Sequence, residues 1–154
     1  MTNLSDGWTS NKEASLEGSL RKEIMVPTLC PPFSHYADAV LCGNFLFVSG
    51  VTACDEHSIV VGQGDTVAQA EKAFESLGEI LRAAGFAPAD VVKVTIYLTN
   101  VDDRAAINPI RQKFFGSTRP ASTLVQVSAL VLPEMKIEVE AVAYRGELGS
   151  LPTG

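Results

Sequence analysis

No stretch restricts the fold of this chain more than Arg119 to Tyr144, RPASTLVQVSALVLPEMKIEVEAVAY. Thr123, Val125, Val127 and Ala129 alternate with Leu124, Gln126, Ser128 and Leu130. Beyond Pro133-Glu134, Ile137, Val139, Ala141 and Ala143 alternate with Lys136, Glu138, Glu140 and Val142. A period of two is the spacing of a β-strand, whose side chains leave opposite faces in turn. The stretch therefore predicts two strands joined by a short turn. Glu138 and Glu140 share one face of a strand whose other face is wholly apolar. Carboxylates placed so are solvated, paired with cations, or used in chemistry.

The same periodicity recurs upstream. Gly43-Asn44 tolerates positive φ and separates Ala37–Cys42 from Phe45–Ser49, which predicts a tight hairpin. Val92, Val94, Ile96 and Leu98 alternate with Lys93, Thr95, Tyr97 and Thr99, a further strand. Two segments have helical spacing instead. Val67, Ala70, Phe74, Leu77, Leu81 and Ala84 form one stripe, opened by the capping pattern of Thr66 and Gln69 and closed by Gly85. Asn108 before Pro109 predicts the start of a second helix, with Ile110 and Phe114 as core contacts and Gly116 at its end. Strand, strand, helix, strand, helix, strand, strand is the order of an α+β fold, with helices on one face of a mixed sheet. The other face would carry Lys93, Thr95, Tyr97, Gln126, Ser128, Glu138 and Glu140 among apolar residues. That mixture is too polar for a core and too apolar for open water. It suits an oligomer interface.

Composition narrows the function classes. The chain has 154 residues, 46% of them hydrophobic, enough for one domain with its own core. Twelve Lys and Arg against 18 Asp and Glu leave a net charge of -6, which disfavours sequence-independent binding of nucleic acid. No apolar run approaches the roughly 18 residues of a membrane span. The N-terminal stretch lacks the apolar core of a secretory signal, so the expected location is cytoplasmic, with no membrane partner. Residues 1–27 read as a flexible arm, with at most a weak helix over Glu13 to Ile24; residues 28–146 read as the domain and 147–154 as a tail. Cys30, Cys42 and Cys54 form no CxxC and have no adjacent histidine; they read as buried thiols, neither a zinc site nor a disulfide framework. His35 and His57 stand in no triad or nucleophile-elbow context. No metal or cofactor is expected.

The ending PASTLVQV followed by KIEVEAVA resembles the RidA/YjgF family. FLFVSG (Phe45 to Gly50), DVVKVTIYLTNVDD (Asp90 to Asp103) and INPIRQKFF (Ile107 to Phe115) extend the likeness over about Ser34 to Tyr144. The resemblance implies a chorismate-mutase-like fold and a homotrimer with clefts between subunits. It also implies hydrolytic deamination of reactive enamines and imines, without a metal. Carried over position by position, the family's proton-handling glutamate falls on Glu138, its tyrosine on Tyr36, its serine on Ser49 and its asparagine on Asn108. The family's arginine, which forks onto a substrate carboxylate, falls on Ser122. The small residue two beyond, often cysteine, is Leu124, and the usual Gly-Pro before the tyrosine is Ser34-His35.

The missing arginine is the most informative departure. A guanidinium offers two parallel charge-assisted bonds to a carboxylate, whereas a serine offers one neutral bond. Arg119 lies an odd step from Ser122 and so faces the other way in an extended chain. Arg104 or Arg111 of another subunit is the remaining source of a cation. The hydroxyls of Ser122 and Thr123, with Leu124 beside them, suit a neutral or larger, more apolar ligand than 2-aminoacrylate. Three functions follow: an imine or enamine hydrolase with altered preference, a non-catalytic trimer that binds a small ligand, and an endoribonuclease, the last least compatible with the acidic charge. Glu138 itself has two readings. It is a general acid/base whose pKa partial burial raises, or the partner of Lys136 or Lys93 across an interface.

Overall fold

The computed structural model describes residues 20–146. Six strands form one sheet in the order β1-β2-β3-β6-β4-β5. They are β1 (Arg21–Ile24), β2 (Ala39–Cys42), β3 (Phe45–Thr52), β4 (Val91–Leu98), β5 (Ala121–Gln126) and β6 (Ile137–Tyr144). Helices α1 (Thr66–Ala83) and α2 (Arg104–Phe115) complete an α+β layer. All neighbouring strands run antiparallel except β4 and β5, which are parallel.

The centre of the sheet is β6. Its apolar set, Ile137, Val139, Ala141 and Ala143, is buried with Leu46, Val48 and Val51 of β3 and Val94, Ile96 and Leu98 of β4. Phe74, Leu77 and Leu81 of α1 close this core from above. Burying an aliphatic side chain of this size contributes about 1.5–3 kcal/mol. A one-residue slip of β6 would turn its apolar set outward and both glutamates inward, so the register is firmly set. Among the described residues no helix covers the opposite face of the sheet. Phe45 and Phe47 are 43% and 49% exposed there, their ring centroids 6.1 Å apart.

Several local expectations are corrected. The last two strands are not a hairpin: β5 pairs with β4, and β6 lies between β3 and β4. Leu130, Leu132 and Met135 leave the sheet to pack with Cys54, Val60 and Cys30 in a separate small cluster, and this draws the connecting segment away as a loop. Residues 122, 124 and 126 share the helix side of the sheet, opposite Val94, Ile96 and Leu98. Gln126 is therefore absent from the open face, and its amide oxygen accepts the Val101 N–H at 3.0 Å. Arg21–Ile24, read as part of the arm, is an edge strand on β2. Residues 1–19 of the arm, with Trp8, and the whole of the tail lie outside the described residues.

The cap of α1 and the start of α2 also differ. Asp65 caps α1, its carboxylate accepting the N–H groups of Val67 and Ala68 at 2.9 and 3.1 Å. Thr66 instead donates to Asp103 at 2.6 Å. Asn108 and Pro109 lie inside α2, which begins four residues earlier, at Arg104, after a turn capped by Asn100. The cysteine reading fails as well: Cys30 and Cys54, 24 residues apart, form a disulfide with Cα atoms 5.3 Å apart, and Cys42 alone is free. Pairing of the first cysteine with the third hides behind an odd count.

Gln69 is fully buried and ties α1 to the loop before β6. Its amide nitrogen donates to the carbonyls of Glu134 at 2.8 Å and Gly62 at 3.2 Å, and its oxygen accepts the Lys136 N–H at 2.7 Å. Replacing it with leucine keeps the volume and strands those backbone groups. Gln69→Leu is expected to cost about 2–4 kcal/mol, from a penalty of roughly 1–3 kcal/mol per unsatisfied buried group. Urea unfolding checks this; a change below 0.5 kcal/mol, about the noise of a neutral surface substitution, would remove Gln69 from its structural role.

Candidate active site

The site is built on an irregularity in the sheet. β3 and β6 pair from Phe45↔Tyr144 to Val48↔Ala141 and resume at Val51↔Val139. Ser49 and Gly50 together span what Glu140 spans alone, a β-bulge. Glu138, paired with Thr52, folds its carboxylate over Gly50. A Cβ at position 50 would fall 2.7 Å from Glu138 Cδ and closer still to Oε1. Glycine is needed here for space.

A cavity of about 380 Å³ opens beside this pair. Leu29, Phe33, Val51, Ile80 and Val131 supply its apolar walls, and the Cys30–Cys54 disulfide lies along it. Ser34, Tyr36, Asp38, Ser49, Thr52, Ser76 and Glu138 bring oxygen-bearing side chains to it. Among the described residues no lysine or arginine lines it. Burial, and secondarily the charge of Glu140, pushes the Glu138 carboxyl above the usual carboxylate range. Glu140 is held apart by Tyr97, whose hydroxyl donates to it at 3.0 Å. Neither Lys93 nor Lys136 lies within ion-pair distance of Glu138 among the described residues.

The hydroxyls around Glu138 have defined capacities. The Tyr36 oxygen accepts the Phe33 N–H at 3.1 Å, which leaves its proton free to donate. Ser49 donates to the Ala37 carbonyl at 2.7 Å, which leaves its lone pairs free to accept. Asp38 is committed to the Val26 N–H at 2.7 Å and holds the strand entry in place. Ser76 was not foreseen. It is 2% exposed, and its hydroxyl has no partner within the protein. Its only signal in the sequence is a hydroxyl in the buried series Ala73, Ser76, Ile80.

The predicted site residues divide into two groups. Tyr36, Ser49 and Glu138 line one cavity. Asn108, Ser122, Thr123 and Leu124 do not line it. Leu124 packs against the main core, and the Thr123 hydroxyl accepts from Lys93 on the open face. Asn108 is exposed on α2, and the Ser122 hydroxyl bonds to Arg111 Nη2 at 2.8 Å. His35 is exposed and lies off the cavity wall. Among the described residues no group of three or more His, Cys, Asp or Glu could hold a metal ion, and no helix is long and apolar enough to cross a membrane.

The family model described as Endoribonuclease L-PSP matches residues 28–145. The chain belongs to this family, the RidA/YjgF proteins. A 3-aminoacrylate deaminase RutC from Acinetobacter baylyi is 38% identical over 80% of this chain and 98% of its own length. The human 2-iminobutanoate/2-iminopropanoate deaminase is 37% identical over 73% of this chain and 82% of its own length. The crystal structure of the Escherichia coli YjgF gene product superposes with a TM-score of 0.74 at 30% identity, covering 81% of this chain and 99% of that one. The mixed sheet and paired helices are thus those of the YjgF-like fold.

The environment of Glu138 has a thermodynamic consequence. A carboxyl whose folded-state pKa is raised contributes stability below its unfolded pKa and loses it as pH rises through the folded value. Glutamine cannot ionise and escapes that loss. Glu138→Gln is therefore expected to match the wild type near pH 4 and to unfold at higher urea concentration at pH 8. Equal midpoints at pH 8, or a less stable variant there, would mean that the carboxylate is not held against its ionisation.

Proposed function

We propose that this protein hydrolyses imines and enamines to carbonyl compounds and ammonia, with Glu138 as the acid/base. The observation that carries this is one carboxyl, shifted above its usual range and with no countercharge among the described residues, set beside a mostly apolar cavity. A carboxyl whose pKa is raised holds its proton more firmly than an ordinary one and can both give and take it. Its protonated form delivers the proton to the enamine carbon, giving an iminium. Water adds to the C=N carbon of that iminium and passes its proton to the Glu138 carboxylate. The same proton then goes to the nitrogen of the carbinolamine; the C–N bond breaks, ammonia leaves, and the hydroxyl proton returns to Glu138 as the carbonyl forms. The balance is one water consumed and one ammonia released. Tyr36 can donate, and Ser49 accept, at the substrate nitrogen or the attacking water.

The names of the relatives support the reaction class, since both deaminases quoted above act on imino or enamine acids. We further propose a homotrimer whose clefts join the Glu138 cavity of one copy to the Asn108–Ser122 group of the next. The uncovered sheet face, with exposed Phe45 and Phe47 beside half-buried Lys93, Thr95 and Glu140, suits such packing. Substrate preference is altered. A cavity of about 380 Å³ is far larger than a three-carbon enamine needs, and residue 122 has no guanidinium, so 2-aminoacrylate should be a poor substrate.

The test is ammonia release from a panel of imines generated in situ, small and large. Glu138→Gln should lower kcat by roughly a hundredfold to ten-thousandfold, the usual worth of a positioned acid/base. Gly50→Ala, which displaces the carboxylate without removing it, should cost about a hundredfold. If the wild-type protein hydrolyses no imine faster than buffer, the reading fails; if Glu138→Gln retains full activity, the acid/base is another group.

A further inference from the structure

The wall of the Glu138 cavity includes two sulfurs for which the proposed reaction has no use. Cys30 and Cys54 both line the cavity and are bonded to each other. Cys54 follows β3, the strand that carries Ser49 and Gly50. Cys30 stands at the root of residues 31–37, a strap that brings Phe33 and Tyr36 to the same cavity. Little else holds that strap. Among the described residues the hydrogen bonds of residues 32–36 are internal: the Phe33 N–H donates to the Tyr36 hydroxyl and the Tyr36 N–H to the Ser34 carbonyl, both at 3.1 Å. Phe33 and Tyr36 are exposed and belong to neither apolar cluster. Non-covalent anchors lie only at or beyond the two ends. Downstream, the Ala37 carbonyl accepts from the Ser49 hydroxyl and the Asp38 carboxylate from the Val26 N–H, both at 2.7 Å. Upstream, the buried Leu29 donates its N–H to Val26 at 3.0 Å. The main core closes without either cysteine.

We propose that the Cys30–Cys54 pair is a redox switch of this site: as a disulfide it fixes the strap and Tyr36 at the cavity, and as two thiols it lets the strap lift away. Its effect on rate rests on the imine-hydrolase reading above; the release of the strap does not. A bridge that braces the rim of a site but not the core is suited to switching, because its loss changes the site and spares the fold. The reductant is a small monothiol. Cys54 is buried and Cys30 half-buried, so the incoming thiolate attacks Cys30 Sγ. The S–S bond breaks, its electron pair leaves on Cys54 Sγ, which takes a proton, and a mixed disulfide stands at Cys30. A second thiolate attacks the outer sulfur of that mixed disulfide and releases Cys30, which takes the second proton. Two external thiols are oxidised to one disulfide as the protein's own is reduced to two thiols. An external disulfide runs the same steps backwards and closes the strap.

The experiment equilibrates the whole protein with mixtures of reduced and oxidised glutathione, alkylates its thiols and measures the mass. One thiol, Cys42, is expected at the oxidising end and all three at the reducing end, interconverting reversibly. Reduction should lower kcat/KM on the imine panel by roughly tenfold to a hundredfold, the usual cost of a misplaced site group. Cys30→Ser should stay at the reduced value in every mixture, and Cys42→Ser should respond as the wild type does. Chymotrypsin supplies a readout outside the reaction. It should cut after Phe33 or Tyr36 roughly tenfold faster in the reduced protein, because cleavage requires the strap to leave the surface. A bridge that survives excess reduced glutathione, or thiols that stay free in excess oxidised glutathione, overturns the proposal; so does hydrolysis, or cleavage, that is equal in the two states. If no imine is hydrolysed in either state, the reaction reading fails and cleavage alone decides: a faster cut in the reduced protein upholds the switch, and equal cutting sinks it.

Discussion

The seat of the Glu138 carboxylate over Gly50 is the contact on which the site depends. It needs three things at once: a strand buried on one face so that its register cannot slip, a bulge that puts two residues of β3 against one of β6, and no side chain at the second of them. A side chain at position 50 would push the acid out of its place. A regular ladder would put a different residue of β3 beneath it. The acid is held by the backbone of a neighbouring strand, and its partial burial is what raises its proton affinity.

Around that contact the protein arranges hydroxyls with complementary capacities, Tyr36 with a proton to give and Ser49 with lone pairs to offer. Both positions depend on the loop between β1 and β2, which Asp38 and the Cys30–Cys54 disulfide pin against the sheet. The charged group lies apart, where α2 meets β5, as Arg111 on Ser122. One chain therefore carries a half-buried acid at a mostly apolar cavity and, apart from it, a cation bonded to a neutral hydroxyl.

Much of the fold was legible in the sequence, because period and punctuation are local signals. KIEVEAVA declared a one-sided strand, Gly43-Asn44 a hairpin, and the stripe from Ala70 to Leu81 a core helix, and each is found. What escaped was long-range. The placement of β6 between β3 and β4 depends on where Leu130, Leu132 and Met135 find a second core. Asn108-Pro109 resembled a helix start because proline favours the first turn, where its missing N–H costs nothing, yet Pro109 stands inside α2. In the site, Glu138, Tyr36 and Ser49 were legible as one group from the family pattern. Arg111 was considered only as another subunit's residue, since nothing in the spacing of a helix and a later strand shows that residues 111 and 122 of one chain meet. Ser76 was invisible for a like reason: a buried serine in a helix says nothing about which cavity it faces.

The most direct test of this account is the titration of the Glu138 side chain itself. With glutamate labelled at Cδ, carbon NMR across pH 3 to 9 (assigned by comparison with Glu138→Gln) follows that one carboxyl in the intact protein. The account expects a midpoint above the ordinary range near 4.3, the value of an unperturbed glutamate, with the carboxyl still partly protonated where other surface glutamates are fully ionised. A midpoint at or below that value would contradict it, since an acid that ionises so readily is neither desolvated by this pocket nor suited to carry a proton to carbon near neutral pH.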